Sequence, residues 1–376
     1  MIRYLTAGES HGKALTVIIE GVPAGLEISI NDLQAELKRR KTGYGRGGRQ
    51  KIETDEIEIL SGVRFGKSTG SPISIILFNK DFENWSELMA VKDKKPKGYK
   101  AITIPRPGHA DYAGFIKYNL GDIRDVLERS SARETAMRVV AGAISKKILE
   151  VAKIQLTAYV YNIGGVEISR LVTDIKTIRK LSAKSECLTV DGKIEEKMKK
   201  RIDEAQRKGV SVGGKIMVVA ENVPVGLGSY VQWDRKLDAC LAKAIMSVQA
   251  IKGVEFGLGF ESAELTGNSV HDEFCIVKGN VSRKTNNAGG IEGGMSNGQP
   301  IIIKAVMKPI PTMKTPLSSV DLKTKKTLPS FFERADVCAV PAAAVVCENV
   351  VALELASALL EKFGGDSISA FKRSLF

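Results

Sequence analysis

Apolar positions recur along this chain in two rhythms. From Ala14 to Glu20 they crowd into an extended run that Gly21-Val22-Pro23-Ala24-Gly25 then stops, which predicts a strand and a tight turn. Pro72 to Phe78, Ile154 to Ile163 and Ile301 to Met307 predict three further strands. Elsewhere the spacing is helical. Asn31 can cap a helix that runs through Leu33 and Leu37 to Arg40. After Arg133, residues Met137, Val140, Ala141, Ile144 and Ile148 share one helical face. Ile194 to Lys208 predicts a charged, solvent-facing helix, and Leu237 to Val248 another. Ala342 to Leu360 predicts a long closing helix with an alanine-rich, tightly packing start. Thr42 to Gly48 is a glycine-rich loop. Asp81 to Lys100, with five lysines and no period, predicts a long surface loop or lid.

Two stretches occur twice, in the same order. Glu20-Gly21-Val22-Pro23-Ala24-Gly25-Leu26 resembles Glu221-Asn222-Val223-Pro224-Val225-Gly226-Leu227. Gly62-Val63, Gly66, Ser68, Gly70, Pro72 and Ile73 align with Gly290-Ile291, Gly294, Ser296, Gly298, Pro300 and Ile301. The expectation is a single domain over residues 1–376 with an internal duplication, of about 1–150 and 210–376. A ligand would then sit at the seam, where loops of both halves converge.

Composition narrows the classes. At 376 residues the chain needs neither disulfide nor metal to hold a core. Residues 1–4 lack the features of a signal peptide, and the uncharged stretch from Cys338 to Cys347 is too short to span a bilayer. Five cysteines without a CxxC pair fit a reducing cytoplasm and suggest no metal site. The net charge of +13 favours an anionic partner, while aromatics at 6% argue against a base-stacking surface.

Two nucleotide signatures fail on inspection. Gly8-Glu9-Ser10-His11-Gly12-Lys13-Ala14 is one residue short of a P-loop and lacks its hydroxyl. Gly43-Tyr44-Gly45-Arg46-Gly47-Gly48 satisfies GxGxxG but follows a helix. Arg39, Arg40, Lys41, Arg46 and Arg49 surround those glycines, and guanidinium forks suit phosphate and carboxylate. The bland alternative is a solvated basic face or an RGG-like RNA-binding stretch. Arg129-Ser130-Ser131-Ala132-Arg133-Glu134-Thr135 opens a helix with hydroxyls and arginines, as an anion site does, although capping alone accounts for the serines. His11 and His109 stand in turns where proton transfer is feasible, or are merely polar surface.

Taken together, these segments resemble the chorismate synthase family. The resemblance rests on Gly8-Glu9-Ser10-His11-Gly12, on Arg39-Arg40 with Gly43 to Gln50, and on Arg106-Pro107-Gly108-His109-Ala110-Asp111. Arg129 to Thr135, Gly253 to Gly257, Ser296 to Ile301 and Arg334-Ala335-Asp336 continue it. Alanine at position 335 departs from the histidine or serine of many members.

The resemblance implies an α/β (α+β) fold, a β-α-β sandwich with two pseudo-symmetric halves, assembled as a homotetramer. It implies a lyase that converts 5-enolpyruvylshikimate 3-phosphate to chorismate and phosphate, with reduced FMN required and no net redox change. NADPH enters only if the enzyme reduces its own flavin. By resemblance, Ser10, Arg40, Arg46, Arg49, Arg106 and Arg133 bind substrate. Arg129, Ser130, Ser131, Gln249, Ala250, Gly294, Lys308, Thr312 and Arg334 hold FMN. His11 protonates the departing phosphate, His109 lies near the flavin's pyrimidine edge, and Asp336 lies near its N5. Neither nucleic acid nor membrane is an expected partner. The rivals are a basic RNA-binding module and a flavin reductase in its own right.

Overall fold

The computed structural model describes residues 1–48, 53–92, 95–333 and 335–375. Its first sheet is antiparallel and comprises β1 (Arg3–Ala7), β2 (Ala14–Glu20), β3 (Ile57–Ser61) and β4 (Ile73–Phe78), in the order β1-β2-β4-β3. The second comprises β5 (Gln155–Ile163), β6 (Gly214–Glu221), β7 (Ile251–Phe256) and β8 (Ile301–Met307). Their order is β5-β6-β8-β7, with the short strand Val166–Glu167 beyond β5. The two sheets thus repeat one order of strands.

Helices pack around them. They are α1 (Ile30–Lys41), α2 (Arg124–Ser130), α3 (Thr135–Val151), α4 (Gly192–Arg207), α5 (Leu237–Met246) and α6 (Val340–Phe363). α3 packs along α6, with α1 against both. α3 covers β2, and α6 covers β5 and β6. This is an α+β sandwich, sheet on helices on sheet. The inward positions of the strands alternate as expected: Leu15, Val17 and Ile19 of β2 and Ile73, Ile75 and Leu77 of β4 are fully buried.

α6 is apolar all round because it is enclosed, and only Glu348, Asn349 and Glu354 break its apolar surface early on. Pro341 stands in its first turn, where a missing N–H costs nothing. By length and composition α6 could cross a bilayer, but most of it is buried between the sheets. α3 crosses close to α6 at Gly142, where a Cβ would lie 2.4 Å from the Cβ of Asn349. Only glycine permits that crossing.

Several expected boundaries shift. Ser29, not Asn31, caps α1, its hydroxyl accepting from the Asn31 N–H at 3.2 Å. α5 stops at Met246, and α4 buries Met198, Ile202 and Ala205 rather than lying wholly in solvent. The segment read as a surface lid begins with a 3-10 turn, Lys80–Asn84, in which Asp81 is buried.

The repeated segments also share a latch. In the first half the Leu26 N–H donates to Ser68 Oγ at 2.9 Å, and that hydroxyl donates to the Pro23 carbonyl at 2.6 Å. In the second, the Leu227 N–H donates to Ser296 Oγ at 2.8 Å, and that hydroxyl donates to the Pro224 carbonyl at 2.6 Å. Gly25 (φ +85) and Gly226 (φ +82) turn the chain next to the latch in the left-handed region that favours glycine. Ser68→Ala and Ser296→Ala should each lower stability by about 1–3 kcal/mol, since each strands a buried amide. Urea melts of both variants check this, and two unchanged midpoints would contradict it.

Candidate active site

Turns of both halves meet around one cavity of about 810 Å³. The first half contributes Ser10, His11, Arg106 and His109, the second Gln249, Lys308 and Thr312, and α6 roofs it with Ala339, Ala342, Ala343 and Val346. The halves are tied across the seam. Arg106 Nη1 donates to Thr312 Oγ1 at 3.1 Å, and Lys308 Nζ donates to the Gly108 carbonyl.

His11 is held more tightly than a surface histidine. The Asn79 amide donates to the carbonyls of Glu9 and Gly12 and so fixes the turn. Glu128 of α2, almost wholly buried, accepts from the His11 N–H at 2.7 Å and lies 2.9 Å from its Nδ1. Burial alone would raise the Glu128 carboxyl, but hydrogen bonding to His11 outweighs it and holds the group below its ordinary value. On the ring's face Trp85 stacks at 4.1 Å between centroids.

The arginines differ in how far they are already engaged. Arg106 forms a fork with Asp111, Nε to Oδ2 at 2.8 Å and Nη2 to Oδ1 at 3.0 Å. His109 Nδ1 meets the same carboxylate at 2.5 Å. Burial would raise Asp111, yet hydrogen bonds from His109 and then Arg106 hold it well below the usual carboxylate range. Arg133 donates to Asp55 at 2.5 Å, Glu53 at 3.3 Å and the side-chain oxygen Oδ1 of Asn79 at 3.0 Å. Arg40 donates to Thr135 Oγ1 and the Ala132 carbonyl, and burial pushes its guanidinium down to about 10. Arg46 pairs with Asp336 at 2.7 Å, and Asp336 also accepts from the Gly47 N–H at 2.6 Å.

The family profile described as "Chorismate synthase" matches residues 2–360. The chorismate synthase of Geobacter sulfurreducens is 54% identical over 100% of this chain and 97% of its own. That of Enterococcus faecalis is 50% identical over the same shares. A solved structure, "Crystal Structure of Chorismate Synthase", superposes with a TM-score of 0.80 at 41% identity, covering 99% of this chain and 96% of that one. The chain belongs to the chorismate synthase family. With it, the chain falls among the carbon–oxygen lyases of the shikimate pathway.

Within that family frame, the placement of each expected residue can be stated. Ser10, His11, Arg40, Arg46, Arg106, His109, Ser130, Ser131, Arg133, Gln249, Ala250, Lys308, Thr312 and Asp336 all line the one cavity. Two expected FMN ligands do not. Arg129 turns outward and donates to the carbonyls of Thr6 and Gly8, while α2 presents Leu127 and Ser130 to the cavity. Gly294 lies in a tight hairpin against Lys236, where its carbonyl accepts from the Leu237 N–H at 2.8 Å. Arg49 and Arg334 lie outside the described residues. Arg39, grouped with the loop arginines in the sequence, faces away toward Glu348 and Glu36.

Among the described residues, three polar atoms in the cavity wall are buried without a hydrogen-bond partner: Arg46 Nε, Ser130 Oγ and Gln249 Oε1. Such atoms call for an occupant with both donors and acceptors. A phosphorylated, carbonyl-rich cofactor such as FMN fits that set. Sequence reasoning passed over Trp85, Glu128 and Glu333, which also build this wall or support it. Glu128 was findable, since it directly precedes Arg129-Ser130-Ser131 and a working histidine needs a partner. Trp85 carried no signal inside a segment without period.

Proposed function

We propose that this chain catalyses the anti-1,4-elimination of phosphate from 5-enolpyruvylshikimate 3-phosphate, giving chorismate, as a cytoplasmic homotetramer that requires reduced FMN. The observation that carries it is a cavity shared by two similar halves, where His11 with its carboxylate partner faces a ring of arginines. The single duplicated domain over 1–376 belongs to this proposal, and the repeated strand order and serine latches support it.

In the reaction the C6–H electron pair becomes part of the new diene and phosphate leaves with the C3–O pair, so no net oxidation occurs. When bound, reduced FMN supplies an electron-rich ring that can lend density to the substrate and recover it. Ser130, Ser131, Gln249, Ala250, Lys308, Thr312 and Arg334 are the residues to hold it. Arg40, Arg46, Arg106 and Arg133, with Ser10, bind substrate anions, with Arg49 as a further expected contact. Several of their charges are already compensated by Asp55, Asp111 and Asp336, so the cavity is poised rather than overwhelmingly positive. His11 gives its proton to the departing phosphate. His109 holds a proton toward the flavin's pyrimidine edge, and Asp336 is the carboxylate proposed near N5.

The test is anaerobic turnover with dithionite-reduced FMN, with and without NADPH. Reduced FMN should support many turnovers and oxidised FMN none. NADPH should replace dithionite only if the chain reduces its own flavin. One FMN oxidised per chorismate formed would overturn the lyase reading, and a single 40.7 kDa species in light scattering would overturn the tetramer. Arg46→Ala should lower kcat/KM by about 10–100-fold, the equivalent of one charge-assisted hydrogen bond, with the fold intact. Unchanged kinetics would return Arg46 to a structural role beside Asp336.

A further inference from the structure

Among the described residues, the contacts around His11 close into a ring of four side chains. Glu128 takes Nδ1, and Trp85 covers one face of the imidazole with its own plane tilted by 26°. Arg124 completes the circuit. Its Nη1 donates to Glu128 Oε1 at 2.9 Å, while its guanidinium carbon lies 4.8 Å from the Trp85 ring centroid. Beyond Arg124 stands Glu333, 3.4 Å from its Nη2 and 3.8 Å from Arg106. Arg124, Glu128 and Glu333 are thus the charged groups that surround the histidine on this side, and Arg106 is the nearest beyond them.

We infer that Glu128 and Trp85 are positioning residues for His11: the carboxylate fixes the Nδ1–H tautomer and the indole fixes the plane of the ring, which leaves Nε2 for proton transfer in the cavity. The inference rests on the reading of His11 as the acid.

The chemistry is simple. A buried carboxylate held ionised by its hydrogen bonds to His11, with Arg124 adding its charge, can only accept, so the ring nitrogen facing it must carry the proton. A histidine in the other tautomer would turn a lone pair toward an anion, which is repulsive. The same logic makes a carboxylate-oriented histidine effective in other enzymes, where the wrong tautomer costs most of the rate. Trp85 adds what a carboxylate cannot. A hydrogen bond at Nδ1 leaves the ring free to swing about that axis, and a stacked neighbour stops the swing. Because Trp85 follows directly on the turn Lys80–Asn84, the start of the segment read as a lid is fastened to the acid itself.

Tryptophan emission reports this arrangement directly. The chain has two tryptophans, and Trp233 is exposed, so Trp233→Phe leaves Trp85 as the sole emitter. In that background, the stacked imidazole should hold Trp85 emission below that of an uncovered indole. His11→Ala should raise it. Glu128→Gln should lower kcat about 10-fold or more with KM within about twofold. Glu128→Asp should restore part of the rate. Trp85→Phe should keep most of the activity and Trp85→Ala should lose it, with circular dichroism confirming that both fold. Emission unchanged by His11→Ala, or a Glu128→Gln enzyme that keeps the wild-type kcat and loses only stability, would overturn the inference. If emission responds as expected while kcat ignores His11→Ala, the clamp stands and the acid assignment falls.

Discussion

His11→Ala is expected to cut kcat by about 10²–10⁴-fold, the usual loss when a positioned general acid is removed. KM should change little. Substrate anions are to be met by Arg40, Arg46, Arg106 and Arg133, which line the same cavity and do not touch the His11 ring among the described contacts. The leaving group is what suffers, because phosphate must depart without a proton donor inside a site that excludes water. Steady-state kinetics with reduced FMN under nitrogen measure both constants, and a melting curve separates catalysis from folding. If His11 merely finishes a turn, the variant will keep near-normal kcat and melt early. That outcome would remove the acid from the mechanism.

The largest effect on stability should come from Glu348. This carboxylate of α6 is almost wholly buried, and it gathers four donors from three other elements. Oε1 accepts from Arg39 of α1 at 2.8 Å and from Lys146 of α3 at 2.5 Å. Oε2 accepts from Arg39 at 2.9 Å and from the Ala158 N–H of β5 at 2.8 Å. Glu36 meets the same two cations, at 2.8 Å and 2.6 Å. Glu348→Gln keeps the volume but turns an amide group toward cationic donors, so a loss of about 3–5 kcal/mol is expected. The lower end applies, because Glu36 still neutralises part of the charge. Denaturant midpoints at constant slope measure it, and a loss under about 1 kcal/mol would show that water solvates the cluster.

The same groups set the acid limit. Burial would raise the Glu348 carboxyl, but Lys146 and then Arg39 hold it well below its ordinary range, and Glu36, Glu128 and Asp111 are depressed likewise. Their folded-state values lie under the unfolded value of about 4. Their stabilisation is therefore complete above about pH 5 and drains away as pH falls through the folded values. Raising the pH from 5 to 8 should not engage these carboxylates at all.

Much of the interior of the fold was legible in the sequence, and most of its margins were not. β2, β4, β5 and β8 are central or long strands with apolar runs that exclude other readings. β1, β3, β6 and β7 went unseen, and all but the central β6 are sheet edges. Arg3, Glu58, Lys252 and Glu255 place charges where the pattern should be apolar, and β3 and β7 each carry a bulge that breaks the alternation. An edge strand is stabilised by its neighbour rather than by its own composition. At the site, the motif residues were visible because their chemistry is unusual for a turn. The outward facing of Arg39 and Arg129 was not, because spacing in a helix or loop does not say which side meets the cavity.

The enclosure of α6 governs how the chain acquires its structure. Both sheets precede this helix in the sequence, yet the inner surface of β5 and β6 has no cover until the helix arrives. During synthesis the earlier segments must therefore wait with apolar faces open, and early folding cannot proceed domain by domain as in a string of independent units. Closing the core joins residues more than a hundred positions apart, since α1 and α3 of the first half also pack on α6. Such distant closures are slow to find. Refolding from denaturant should then be sluggish and prone to clumping at high protein concentration, and whatever shields apolar surface until α6 docks should raise the yield.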